Sequence, residues 1–260
     1  MPYTPPPQTI PLPQTFHHNT TTHSHTIHWT TLGDPCRPPL QIALDADLSD
    51  QTAVFAALYS HWSETWPAVY QKRAHVIAYD HGGLMTLRAH LLHGLQYASL
   101  CLINVVALGP FGQPLFKLVA ENQAVSEALT GPVFEGVVEA NIRDAAFTEL
   151  SEERMEMLKE PWVRMGEEGR KGFVRQMMQA NFRITEAVEG RYGEVGANVP
   201  VLVVWGVEDR WIPVETAERL KERLNARELV LIEGAGHLVM YDQPGRLGVE
   251  LGLWLNEVRG

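Results

Sequence analysis

Cysteine is scarce in this chain. Only Cys36 and Cys101 occur, in no CxxC pair or regular framework, so nothing calls for a disulfide scaffold or an oxidising compartment. An excess of basic residues is missing too. The 21 Lys and Arg are scattered, and 31 Asp and Glu bring the formal net charge to −10. A nucleic-acid groove needs clustered cations to neutralise phosphates, which excludes that class of partner. No apolar run has the length of a bilayer crossing: the longest, Ala98 to Leu108, ends at Gly109-Pro110. The N-terminus shows no basic start followed by an apolar core, so no secretory signal is expected. The expectation is a soluble, cytoplasmic protein with neither membrane nor nucleic-acid partners.

What is there suits one large domain, or one domain with an insertion: 260 residues, 45% of them hydrophobic. Residues 1–26 are rich in Pro, Thr and His and read as a disordered tail, too poor in apolar surface to offset the entropy of ordering. His17, His18, His23 and His25 have no acidic or cysteine partner nearby, so no metal site is expected. Ile27 to Leu32 reads as a strand turning at Gly33-Asp34-Pro35. A helix is predicted from Ser49 or Asp50 to about Trp62, with Val54, Leu58 and Trp62 on one face. Strand Ala74 to Tyr79, helix Gly83 to His93 and strand Leu100 to Leu108 follow.

From 110 to 198 the apolar strand runs vanish and amphipathic segments replace them, such as Ser151 to Lys159 and Phe173 to Phe182. This predicts a helical insertion. The strand signal returns at Val201 to Trp205. A helix opened by Pro213 runs to about Leu224, then a strand Glu228 to Ile232 and a last helix to about Val258. Apolar strands alternating with helices imply an α/β fold, its parallel sheet covered on both faces. Residues 27–109 and 199–260 form its core.

The chemistry concentrates at strand ends. Ala78-Tyr79-Asp80-His81-Gly82-Gly83 places Asp80 where a strand turns straight into a helix, a strained corner that exposes its side chain and wants small residues at 78 and 82. None of the seven serines has such a setting. Trp205-Gly206-Val207-Glu208-Asp209-Arg210 puts Asp209 just after a strand, where open α/β sheets carry functional groups. Gly234-Ala235-Gly236-His237 follows the next strand. Alone, Asp-x-Gly-Gly is more often a turn, and G-x-G-H is often a plain loop. Together, in the order nucleophile, acid, histidine, they point to an active site.

From Asp50 onward the chain resembles α/β-hydrolases of the haloalkane dehalogenase and epoxide hydrolase branch. The stretches that carry the likeness are YDHGG (79–83), GVEDRWIP (206–213) and GAGHLVMYDQP (234–244). The resemblance implies that Asp80 is the nucleophile, His237 the base and Asp209 the acid that orients it. The His81 backbone N–H is implied as one oxyanion donor, and 110–198 corresponds to the helical cap. No cofactor or metal is implied. The substrate implied is a small apolar molecule with a carbon–halide, epoxide or ester bond, cleaved through a covalent alkyl-enzyme ester. Dehalogenases carry Trp after the nucleophile, where this chain has His81. Epoxide hydrolases use two cap tyrosines, where 110–198 holds Tyr192 alone. Trp162 and Tyr192 are therefore candidate pocket residues, with packing of the cap against the sheet as the commoner alternative. Five methionines, Met155, Met157, Met165, Met177 and Met178, suggest a pliable apolar lining, core filling being their commoner use.

A piece expected by that resemblance is missing. The family has an apolar strand ending in His-Gly before the nucleophile strand, and no His-Gly lies between Trp29 and Asp80. The break falls near Leu40-Gln41 and predicts an incomplete sheet. It leaves open a second reading, a truncated or degenerate relative with little or no catalysis that retains only ligand binding.

Overall fold

The computed structural model describes residues 14–19, 24–29, 48–64, 73–109, 111, 114–178 and 183–258, the first two segments by their backbone. The disordered reading of 1–26 is corrected within them. Gln14–Asn19 (β1) and Ser24–Trp29 (β2) pair as antiparallel strands, Phe16 opposite Ile27 and His17 opposite Thr26. Thr, Phe, Ile and Trp favour a pleated strand, and the ladder satisfies the backbone that composition alone left unpaired. The turn at 33–35, Cys36 and the Leu40-Gln41 junction lie outside the described residues.

Leu48–Ser63 (α1) buries Phe55, Leu58, Tyr59 and Trp62 along one stripe at helical spacing. Ala74–Tyr79 (β3) matches its predicted span and runs directly into His81–His93 (α2), which Gly94 ends in the left-handed conformation at φ 72°. Tyr97–Ile103 (β4) stops short of the predicted Leu108 because Asn104 turns the backbone to φ 43°. Val105 to Leu108 stay buried as loop, which is why they read as strand.

The long connection that follows is helical: Pro114–Glu121 (α3), Gln123–Glu127 (α4), Gly131–Ala145 (α5), Glu152–Val163 (α6), Glu167–Met178 (α7), Arg183–Glu189 (α8) and Tyr192–Asn198 (α9). Ser151 caps α6 by accepting a hydrogen bond from the Arg154 N–H. Side chains of α3, α5, α6 and α7 form a cluster of their own around Val119, Phe134, Val138 and Phe173. Those of α8 and α9 do not. Val188, Tyr192 and Val195 pack into the main core, so the separate helical layer ends before α8 rather than at 198.

Val201–Gly206 (β5), Glu215–Leu224 (α10), Glu228–Ile232 (β6), Val239–Asp242 (α11) and Pro244–Glu257 (α12) complete the chain. The sheet has the order β3-β4-β5-β6, every pair parallel. All six residues of β5 are buried. Leu100, Leu102, Val201, Val203 and Trp205 face α1, α2, α9 and α10. Cys101, Ile103, Leu202 and Val204 face Trp254 of α12 on the other side. Each such aliphatic side chain contributes roughly 1.5–3 kcal/mol by leaving water. Among the described residues no strand pairs with the outer edge of β3, the side where the sequence predicts a strand to be missing.

Candidate active site

Asp80 is the corner between β3 and α2. Its backbone sits at φ 50°, ψ −128°, a region that costs a non-glycine residue about 1–3 kcal/mol. Neighbouring backbone holds it there. Its N–H donates to Ile103 O (3.4 Å), and its carbonyl accepts from the N–H groups of Gly83 (3.0 Å) and Val106 (3.1 Å). The small-residue requirement falls one position later than predicted. A Cβ at Gly82 would meet nothing within 4 Å, whereas one at Gly83 would lie 2.4 Å from Val105 Cβ and Cγ1. Gly83 is what lets α2 pass over the loop after β4.

Asp209 and His237 arrive from the ends of β5 and β6. His237 Nδ1 is 2.9 Å from Asp209 Oδ2, and both side chains are buried, 1% and 0% exposed. The Asp209 carboxylate is fully used. Oδ1 accepts from the N–H groups of Trp211 (2.8 Å) and Ile212 (2.9 Å), and Oδ2 accepts in addition from the Asn104 side-chain amide (2.7 Å). Close backbone approach brings the two loops together. A Cβ at Gly206 would sit 2.4 Å from Gly236 O and 2.5 Å from Ala235 O. The His237 ring stacks on Trp211 (centroids 4.9 Å apart, 30°) and leans on Tyr79 at 5.2 Å.

The outer nitrogen of His237 faces Asp80, with Nε2 3.8 Å from Oδ1 and without a hydrogen-bond partner. The Asp80 carboxylate is 26% exposed, and its other oxygen, Oδ2, lies 3.3 Å from His81 Nδ1. Burial works to raise the Asp80 pKa. The charge and hydrogen bond of His81, the charge of His237 and the His81 N–H outweigh it and bring the carboxyl down to about 2. Conversely, burial would lower the His81 pKa, but the Asp80 carboxylate overcomes that and raises it above 6.5. Burial, reinforced by the carboxylates of Asp80 and Asp209, pushes the Tyr79 phenol well above 10 and keeps it neutral.

Asp80, His81 and His237 form the polar floor of a cavity of about 250 Å³. Its roof comes from α5, α6 and α7 through Val138, Asn141, Leu158, Trp162, Phe173 and Met177, and Trp211 closes one side. The lining is mostly apolar with a few convergent polar groups, the usual form of a small-molecule site. Asp80, His81, Asp209, His237 and Trp162 thus come together as the sequence suggested. Tyr192 does not. It is fully buried in the main core, its hydroxyl donating to Ala107 O (2.6 Å), because α9 packs against α2 and α10. Of the five methionines only Met177 lines the cavity. Met155 is buried in the helical cluster, and Met157, Met165 and Met178 are exposed.

Two positioning residues escaped the sequence reading. Asn104 binds Asp209, as above, and also accepts from the Gly206 N–H (3.1 Å). Its signal was present as the lone amide inside the apolar run LCLINVVAL. Asp242, within the quoted GAGHLVMYDQP stretch, accepts from the N–H groups of Gly236, Phe147 and Thr148 and from the Thr148 hydroxyl, at 2.6–2.9 Å. It joins the histidine loop to the chain leaving α5.

Comparison with known proteins agrees with this architecture. None of the curated proteins matches the chain. Among solved structures it is similar to an alpha/beta hydrolase fold protein from Burkholderia ambifaria, at 34% identity and a TM-score of 0.72 over 80% of this chain and 73% of that one. Two more distant likenesses share the fold. The haloalkane dehalogenase DbeA from Bradyrhizobium elkani is 17% identical, with a TM-score of 0.65 over 83% of this chain and 76% of that one. A thermophilic esterase from Thermogutta terrifontis is 19% identical, with a TM-score of 0.59 over 84% and 75%. Residues 9–248 match the sequence profile described as the Alpha/beta hydrolase family. The chain belongs to the alpha/beta hydrolase family.

Proposed function

We propose that the protein is a hydrolase that opens a small apolar electrophile through a covalent ester on Asp80. The observation that carries this reading is the Asp80–His237–Asp209 line at the cavity floor, with spacings of 3.8 and 2.9 Å. An ionised carboxylate at a helix N-terminus can displace a leaving group from saturated carbon and become an ester. The 3.8 Å gap exceeds a hydrogen bond, so Nε2 of His237 stays free to take a proton from water. That water attacks the ester carbonyl, while Asp209 holds the imidazole tautomer and its later positive charge. The His81 backbone N–H, at the first position of α2, is one donor for the oxyanion. The helices α3 to α7 act as a cap, and the apolar roof favours a small carbon-rich substrate.

Replacing His237 by Gln should halt the cycle at the ester. Incubation with haloalkanes, epoxides and activated esters, followed by mass analysis of the peptide containing Asp80, is expected to show the added alkyl mass. Unmodified peptide with every substrate would rule the reading out.

A second reading, a weakly active or ligand-binding relative, is favoured by the absence of a His-Gly pair between Trp29 and Asp80. Without that donor the rate falls about 10²–10³-fold. Wild-type protein that binds an apolar probe tightly and never turns it over would support this instead.

A further inference from the structure

Both oxygens of Asp80 are faced by imidazole nitrogens. His237 Nε2 faces Oδ1 at 3.8 Å, and His81 Nδ1 faces Oδ2 at 3.3 Å. Water activation accounts for His237. The His81 side chain has no part in that chemistry, which uses only its backbone N–H. Yet His81 lines the cavity beside Phe111, its ring edge-on at a centroid distance of 6.3 Å, and its Nε2 is buried with no hydrogen-bond partner. Buried polar atoms are nearly always paired, so an orphaned ring nitrogen on a residue that lines a cavity calls for a partner, one that a small shift of the ring in the occupied cavity would let a ligand supply.

The polar side chains that line the cavity are Asp80, His81, Asn141, Gln176 and His237. Two of these are amides, which donate hydrogen bonds but do not release protons. Asp80 is the nucleophile, and His237 must stay neutral to serve as base. Trp211 already donates its indole N–H to Asp144 (3.0 Å). Among the described lining residues, His81 is the group left to act as an acid.

We infer that His81 is a general acid of the first half-reaction, donating the Nε2 proton to an oxygen leaving group, and that the substrate class is a strained cyclic ether. The inference rests on Asp80 being the nucleophile. In the step, an Asp80 oxygen forms a bond to a ring carbon, and the carbon–oxygen bond of the ether breaks. The released electron pair on oxygen takes the Nε2 proton, leaving a hydroxyl and a neutral His81. Ester formation removes the negative charge that held His81 protonated, so its acidity rises as the alkoxide appears. Hydrolysis then adds water across the ester, and the proton that Asp80 would otherwise keep returns to His81. Charge and protons balance over the cycle.

A halide leaves without needing a proton, which supplies the test. In a His237→Gln background, ester formation on Asp80 is followed by intact-protein mass spectrometry with styrene oxide and, separately, iodobutane. Adding His81→Gln, and independently His81→Asn, is expected to lower the ratio of the oxide rate to the iodide rate by about 10²-fold or more, the usual worth of a general acid. The iodide reaction controls for folding in each variant. An unchanged ratio would overturn the inference and leave Asp80 as nucleophile. So would ester from the iodide but none from the oxide when His81 is intact. No ester from either probe would remove Asp80 as nucleophile, and this inference with it.

Discussion

Asn104 donates to the same Asp209 oxygen that faces His237, at 2.7 Å, from a position 105 residues away. The amide fills the acceptor capacity that the imidazole leaves and, through Gly206, ties the end of β4 to that of β5. It does so from a left-handed backbone, φ 43°, which asparagine tolerates better than most residues.

Two substitutions separate these contributions. Asn104→Gly keeps the backbone relaxed but leaves Asp209 and Gly206 short of a partner. Asn104→Ala adds backbone strain. Urea unfolding is expected to show a loss of about 1–3 kcal/mol for the glycine variant and about 1–2 kcal/mol more for alanine. Ester hydrolysis should slow in both, because the histidine partner is less well held.

Gly82 and Gly83 are adjacent and should respond oppositely. Gly83→Ala forces a methyl to 2.4 Å from Val105 and should cost about 1–3 kcal/mol by overpacking. Gly82→Ala meets open space in a helix and should be neutral, or stabilising by up to about 1 kcal/mol. Thermal melts of the two proteins decide it.

The Asp80–His81 pair predicts a window of pH dependence. Asp80 is depressed in the fold, so its share of stability is present above 3.8 and is lost as pH falls towards about 2. His81 is raised, so its share is present below 6.5 and is lost as pH climbs through the folded value. The difference in urea midpoint between wild type and His81→Gln should be largest between roughly pH 4 and 6.5 and shrink on either side. A difference that fails to shrink below pH 4 and above pH 6.5 would contradict the pairing.

Asp242→Asn should loosen the histidine loop. A carboxylate accepts at both oxygens, whereas one end of an amide only donates. At least one N–H of Gly236, Phe147 or Thr148 would then be stranded, at a cost of about 1–3 kcal/mol. Amide hydrogen exchange at Gly236 is expected to speed up, with a fall in turnover.

Residue patterning was enough to show the alternation of strands and helices from α1 onward, the spans of β3 and β6, the corner at Asp80 and the convergence of Asp80, Asp209 and His237 at strand ends. Those features come from periodicity among chain neighbours and from turn chemistry within a few residues. Composition misjudged 14–19 and 24–26, where a strand ladder overrides it. Whether Tyr192 and the methionines pack or line a pocket stayed open, because helical spacing says that a face is buried, not against what. Which glycine must be small, which amide completes Asp209 and which imidazole nitrogens are left without a partner were decided by tertiary contact. Each depends on backbone or side chains brought together from distant parts of the chain or across a sharp corner, and local sequence carries no record of those distances.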